Sequence, residues 1–126
     1  MVHKVSWTQG RVTVHYSEYC TEAEVLTVVV DLQSDPRFDG THQALHDFSQ
    51  CESLSASPEH LEELAGRNSA AVVSNPTLRI AVVTDRADVL AMLERFESIE
   101  LNPFPLRMFS NTEDANAWLN KTPSRI

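Results

Sequence analysis

Any chemistry in this chain has to come from a small set of side chains: His42 and His46, Asp47, Cys20 and Cys51, and Ser57. The two histidines are four positions apart, a spacing that chelates a metal ion on a helix. The stretch around His46 reads as a strand, where four residues span about 13 Å. That pair alone then holds no metal, and both read as ordinary polar histidines. Asp47 lies between His46 and Phe48, and a carboxylate entering a core must be paired or hydrogen-bonded. It is a candidate ligand contact, because ligands of open α/β sheets collect at the carboxyl ends of strands. The competing reading is a structural contact to the following loop. A reactive cysteine needs a cation or a helix N-terminus to lower its thiolate pKa. Cys51 has only Gln50 and Glu52 beside it, and Cys20 stands before a helix cap that Thr21 already explains. No G-x-G-x-x-G, P-loop, H-E-x-x-H, C-x-x-C or G-x-S-x-G pattern occurs, and three glycines are few for a backbone phosphate cradle. These residues assign no catalytic group, no metal and no cofactor, and a non-enzymatic protein is expected.

One aromatic residue stands apart. Phe104 sits in the stretch Leu101 to Leu106 between Pro103 and Pro105. Proline fixes its own φ and biases the residue before it away from helix, so this loop is expected to be extended. Phe104 is a candidate contact for a partner or a ligand. The alternative is that it folds back under the sheet edge.

The elements that must position these residues follow from pattern. Val2 to Trp7 and Arg11 to Ser17 predict two strands joined by Thr8-Gln9-Gly10, a hairpin loop with glycine at the turn. The second alternates Val12, Val14 and Tyr16 on one face with Arg11, Thr13 and His15 on the wetter one. Thr21-Glu22-Ala23-Glu24 predicts a capping box. Val25, Val28, Val29 and Leu32 then repeat at helical spacing, although β-branched Val28-Val29-Val30 also suits a strand. Asp35-Pro36 stops this helix. Gln43 to Gln50 predicts a strand, and Ser57-Pro58-Glu59 opens a helix with Ser at the cap, Pro next and an acid in the first turn. Its inner face is Leu61, Leu64, Ala65 and Val72, and Asn75-Pro76 ends it. Leu78 to Thr84 is nearly all apolar, as a strand covered on both faces should be. Asp85 is expected to cap a helix with Val89, Met92, Leu93 and Phe96 inward. Leu106 to Phe109 predicts a last strand, and Ser110-Asn111-Thr112-Glu113 a second capping box before a helix that buries Ala115, Trp118 and Leu119. Residues 122–126 read as a frayed tail. Strands alternating with helices imply an α/β fold, with a mostly parallel five-stranded sheet and one antiparallel edge from the opening hairpin.

Composition bounds the function classes. The chain has 126 residues, 42% of them apolar, which suits a single domain over 1–126 with one core. Eighteen acids against ten Lys and Arg give a net charge of −8. That balance argues against nucleic acid and anionic membrane as partners, since both are bound by clustered cations. Residues 1–16 alternate apolar and polar, so no signal-peptide pattern is seen, and Val28 to Val30 is far too short to span a bilayer. With two cysteines of unremarkable spacing, a cytoplasmic protein with reduced thiols is expected.

Several stretches resemble a known family. Asp35-Pro36-Arg37-Phe38, the strand with Leu45 and Asp47, Ser57-Pro58, and Leu61 to Ala65 resemble the SpoIIAA-like proteins of STAS/SEC14 type, in their uncharacterised bacterial branch. Leu106-Arg107-Met108-Phe109-Ser110, with Glu113-Asp114-Ala115 and Ala117-Trp118-Leu119, is similar to their closing strand and helix. The resemblance implies a SpoIIAA-like staircase of β-α units over nearly the whole chain. It implies an Asp at position 47, and it makes Ser57, at a helix N-terminus, a candidate phosphosite of the kind that switches anti-sigma-factor antagonists. Those antagonists carry an Asp-Ser-Ser-Gly turn where this chain has Ser55-Ala56-Ser57-Pro58, and the nearby Glu59, Glu62 and Glu63 would repel a phosphate, so no regulatory phosphorylation of Ser57 is expected. Two function classes lead, ahead of an enzyme whose site no motif reveals. One is a non-enzymatic regulatory module that binds a protein partner or a second copy of itself. The other, suggested by lipid-carrying fold relatives, is a carrier or sensor of a small apolar ligand. A flat apolar surface would favour the first, and an internal apolar cavity the second.

Overall fold

The computed structural model describes residues 3–71, 75–99 and 104–121. Five strands and four helices follow one another as β1 (His3–Thr8), β2 (Arg11–Thr21), α1 (Glu22–Ser34), β3 (Gln43–Ser55), α2 (Pro58–Ala71), β4 (Arg79–Val83), α3 (Ala87–Glu97), β5 (Leu106–Phe109) and α4 (Thr112–Leu119). A 3₁₀ turn, Pro36–Gly40, stands between α1 and β3. The strands form one sheet in sequence order, β1-β2-β3-β4-β5. β1 pairs antiparallel with β2 and every other pair is parallel.

This topology explains the layers. Each parallel step moves one strand in the same direction across the sheet, and crossovers of one hand then place their helices on one face. So α1, α2 and α3 cover the inner face, where Val12, Val14, Tyr16, Phe48, Ile80 and Val82 are buried. α4 follows the last strand, so no crossover constrains it. It packs on the outer face, where Ala115 and Leu119 meet Leu45, Ala81 and Val83. β4 is thereby buried on both faces, which is why its sequence is a continuous apolar run.

Local signals resolve as follows. Gly10 closes the hairpin with φ +77°, a conformation that side chains rarely adopt. Its carbonyl accepts from the amides of His42 and Gln43, tying the turn to the start of β3. The Thr21 hydroxyl accepts from the Glu24 amide, which is the forward half of the expected capping box, while Glu24 Oε2 is buried without a hydrogen-bond partner. The β-branched run Val28 to Val30 is helical, and α1 buries Val25, Val28 and Leu32 with Val29 partly covered.

Two caps differ from expectation. The N-cap of α4 is Asn111, not Ser110: the Asn111 side chain accepts from the Asp114 amide at 2.8 Å. A planar amide oxygen caps as well as a hydroxyl does, so sequence preference alone could not choose between adjacent positions. The N-cap of α3 is Arg86, which makes no side-chain cap bond, rather than Asp85. Here Asp88 accepts from the Val89 amide inside the first turn and pairs with Arg86. Val72, Pro103 and the 122–126 tail lie outside the described residues.

The largest departure is strand length. β2 runs on to Thr21 and β3 to Ser55, past the charged and polar residues that break their alternation. The ladder survives by slipping register twice, between His15 and Ser17 and between Glu18 and Tyr19, and Glu18 takes a positive φ of 60°. The two strands therefore extend together as a ribbon, with Thr21 opposite Ser55. That pairing sets the start of α1 beside the start of α2.

Candidate functional site

The inner face of the sheet carries a polar pair within an apolar layer. Tyr16 on β2 and His46 on β3 both point toward α1–α3, because each shares the parity of Val12, Val14, Ala44 and Phe48 on its strand. Tyr16 is fully buried, and its hydroxyl lies 3.0 Å from His46 Nδ1. The Tyr16 ring stacks on Phe48, with centroids 4.2 Å apart and planes 3° from parallel. The His46 ring lies nearly parallel to it as well, with centroids 5.9 Å apart. Burial pushes the His46 imidazole down to about 4 and the Tyr16 phenol well above its usual range.

His46 borders an apolar cavity of about 70 Å³ between the sheet and α1–α3. Its walls include Phe38, Leu61, Leu64, Val82 and Met92, and its polar margin is His46 with Gln33 and Asn68. The Gln33 amide donates to the Asn68 carbonyl oxygen at 2.8 Å, which satisfies part of that margin.

The depressed imidazole has a measurable consequence. His46 is held neutral in the fold and titrates near 6.5 once unfolded, so the unfolded chain binds the extra proton first. This contribution to stability is fully present above about pH 6.5 and is lost as the pH falls toward about 4. The expected loss between pH 7 and pH 5 is about 2 kcal/mol. Urea denaturation across that range should show it, and His46→Gln should flatten the slope. An equal slope in both proteins would assign the acid sensitivity elsewhere.

The structure sorts the other candidates. Asp47 points to the outer face and is buried; its carboxylate accepts from the Ser49 amide at 2.9 Å and lies 3.2 Å from His15 Nδ1. Because β3 runs on to Ser55, the Ser49 bond is a local one within the strand and not a contact to a following loop, and the other neighbour, His15 of β2, is half-exposed. His42 lies on the turn before β3 and is 2.8 Å from the Thr77 hydroxyl, so the two histidines belong to different surroundings. Among the described residues no cluster of three metal-ligating side chains occurs.

Cys20 and Cys51 are both free and buried, brought together by the β2–β3 ribbon. Burial, and then the neighbouring Cys51, push the Cys20 thiol up to about 12. A thiol held protonated in this way is a packing group rather than a nucleophile. Phe104 is 4% exposed and belongs to the apolar core. Of the two readings of Phe104, this burial matches the one in which the ring folds back under the sheet edge, as suits a large apolar side chain.

Ser57 lies at the start of α2, with its carbonyl accepting from the His60 amide. Its own amide donates to Glu22 Oε1 at 2.6 Å. Glu22 is 2% exposed, and its other oxygen is bound by Arg95 Nη2 from α3. One carboxylate thus joins the starts of α1 and α2 to the end of α3. In sequence Glu22 is only a middle position of the Thr21–Glu24 capping box, and nothing in its local pattern, an acid in the first turn like Glu24, signals this role.

No family model and no curated protein matches the chain. Solved structures do match. One is the anti-sigma factor antagonist SpoIIAA in its unphosphorylated form, at 8% identity and a TM-score of 0.57, covering 92% of this chain and 94% of that one. Another is an uncharacterised protein of the DUF3478 family with a SpoIIAA-like fold from Shewanella loihica PV-4, at 16% identity and a TM-score of 0.56, covering 94% and 92%. At these identities the likeness is one of fold, and the chain has the SpoIIAA-like fold.

Proposed function

We propose that this protein is a non-enzymatic regulatory module whose input is a small apolar ligand held between the sheet and α1–α3. The observation that carries the reading is the apolar cavity with His46, itself within hydrogen-bond distance of the Tyr16 hydroxyl, at its edge. Binding pockets are concave and mostly apolar with a few placed polar groups, and this cavity has that composition. The surface points the same way: among the described residues the only large hydrophobic left exposed is Tyr19. A flat apolar docking patch needs more than one such side chain.

Size limits what can enter. A cavity of ~150 Å³ holds a benzene, and this one is about 70 Å³. A ligand of more than a few carbon atoms therefore has to move α1 and α2 apart, and that displacement is what a partner would read. The partner-binding reading is also favoured, by a specific observation: the end-to-end likeness in fold to an anti-sigma factor antagonist.

Methyl NMR with short-chain alcohols and fatty acids tests the ligand reading. The methyls of Leu61, Leu64, Val82 and Met92 should shift together and saturably. Ala44→Val, which adds methyls to the cavity wall, should abolish the shifts while leaving the fold as stable or slightly more so. Wild-type methyls indifferent to every probe would remove this reading.

A further inference from the structure

The cations of this acidic chain are sorted by face. Arg37, Arg67, Arg86 and Arg95 each pair with a carboxylate, respectively Asp35, Glu63, Asp88 and Glu22. All four lie in or next to the 3₁₀ turn, α2 and α3. Lys4, Arg11, Arg79 and Arg107 instead take outward positions on β1, β2, β4 and β5, and Lys121 follows α4. Among the described residues none of these five has a carboxylate within ion-pairing distance.

Two of the five serve the fold. Arg11 donates to Gln43, Asn116 and Asn120, and Arg79 donates to the carbonyls of Trp118 and Lys121 at the end of α4. Lys4, Arg107 and Lys121 remain exposed. The Arg107 guanidinium lies over the Phe109 and Trp118 rings at 5.4 and 5.8 Å, which orients it without an acid. α4 packs over β3, β4 and β5, leaving the outward Ser6 and His15 exposed beside Lys4. The acids of this face do not neutralise it. Asp47 is buried beneath His15, and Glu113 and Asp114 sit in the first turn of α4, whereas Lys121 lies beyond its other end. Exposed Asp31, Glu59, Glu62, Glu63 and Glu94 belong to the helices of the opposite face, and exposed Glu18 and Glu52 lie toward the carboxyl ends of β2 and β3, strands whose other ends carry Arg11 and Gln43.

We propose that the outer face is a docking surface for an acidic segment of another protein. The proposal rests on the partner-binding half of the reading above and not on the cavity. Charge complementarity selects the occupant: unpaired cations gathered on one side of a molecule of net charge −8 favour a negative partner at contact range, while longer-range repulsion is screened within about 8 Å at physiological salt. A second copy fits poorly. The acids of α1, α2 and α3 lie on the opposite face, so contact through them would be head to tail and would not close at two subunits. A nucleic acid fits poorly too, since three free cations neutralise few phosphates.

The test is a titration of fluorescently labelled polyglutamate peptide at physiological ionic strength, where the long-range repulsion is screened, followed by anisotropy. Saturable binding that weakens with salt is expected. Lys4→Glu, Arg107→Glu and Lys121→Glu should each raise Kd about threefold, and the three together about tenfold or more. Arg67→Glu makes the same change in net charge on the opposite face and should leave Kd unaltered. Circular dichroism confirms that each variant is folded. No saturable binding by the wild type, or equal weakening by Arg67→Glu, would overturn the proposal. Binding to heparin or to anionic vesicles without binding to polyglutamate would overturn it as well, and so would salt-sensitive self-association in sedimentation that the same three variants abolish. None of these readouts depends on whether the cavity takes a ligand.

Discussion

Arg95→Met is expected to lower the unfolding free energy by about 3–5 kcal/mol, because it strips the partner from a buried carboxylate. Glu22 is 2% exposed and cannot recover its hydration by turning outward. Its remaining bond, to the Ser57 amide, satisfies one oxygen only. Glu22→Gln should cost less, about 1–2 kcal/mol. The side-chain oxygen still accepts from Ser57, and Arg95 is partly exposed and can turn to water. The order of the two effects is the informative part. A reversed order in urea denaturation would mean that Glu22 is hydrated in solution and that α1, α2 and α3 are joined by packing alone. The same geometry bears on Ser57. A phosphate there would stand beside the Glu22 carboxylate, which the Ser57 amide itself binds, and like charges at that range repel strongly. Stoichiometric phospho-Ser57 in protein from its own cell would therefore require Glu22 to leave its place.

Phe104→Ala should cost about 3–5 kcal/mol, the range for deleting a buried aromatic side chain. The ring lies in the inner-face core at 4% exposure. Its loss removes apolar area and leaves a void that the short strand β5 next to it cannot close. Thermal unfolding paired with sedimentation separates this from a surface role. Lower stability with unchanged self-association is the expected result. A variant as stable as the wild type but weaker in association would place the ring at an interface.

Two of these residues mark the boundary between pattern and packing. The Phe104 loop was conspicuous in sequence, since two prolines around an aromatic residue are unusual. Yet prolines fix backbone torsions and say nothing about which way a ring turns. Glu22 was inconspicuous. Its role arises only because β2 and β3 continue past their regular alternation, and that continuation depends on two register slips at Ser17 and Tyr19. A slip is a property of two paired backbones, and no single strand encodes it.

The sequence by itself determined what depends on neighbours a few residues apart. The hairpin at Gly10, the cap at Thr21, the helical stripes of α1, α3 and α4, the doubly buried β4 and the parallel order all follow from spacing, turn chemistry and the handedness of crossovers. Only the tertiary structure decided what depends on residues far apart in the chain. It set the Tyr16 hydroxyl against His46 across 30 residues and joined Ser57 to Glu22 across 35 and Glu22 to Arg95 across 73. It also left the unpaired cations on one face. The physical reason is range: side-chain periodicity is fixed by the backbone within one element, whereas burial, ion pairing and a shifted pKa depend on which elements the fold packs together.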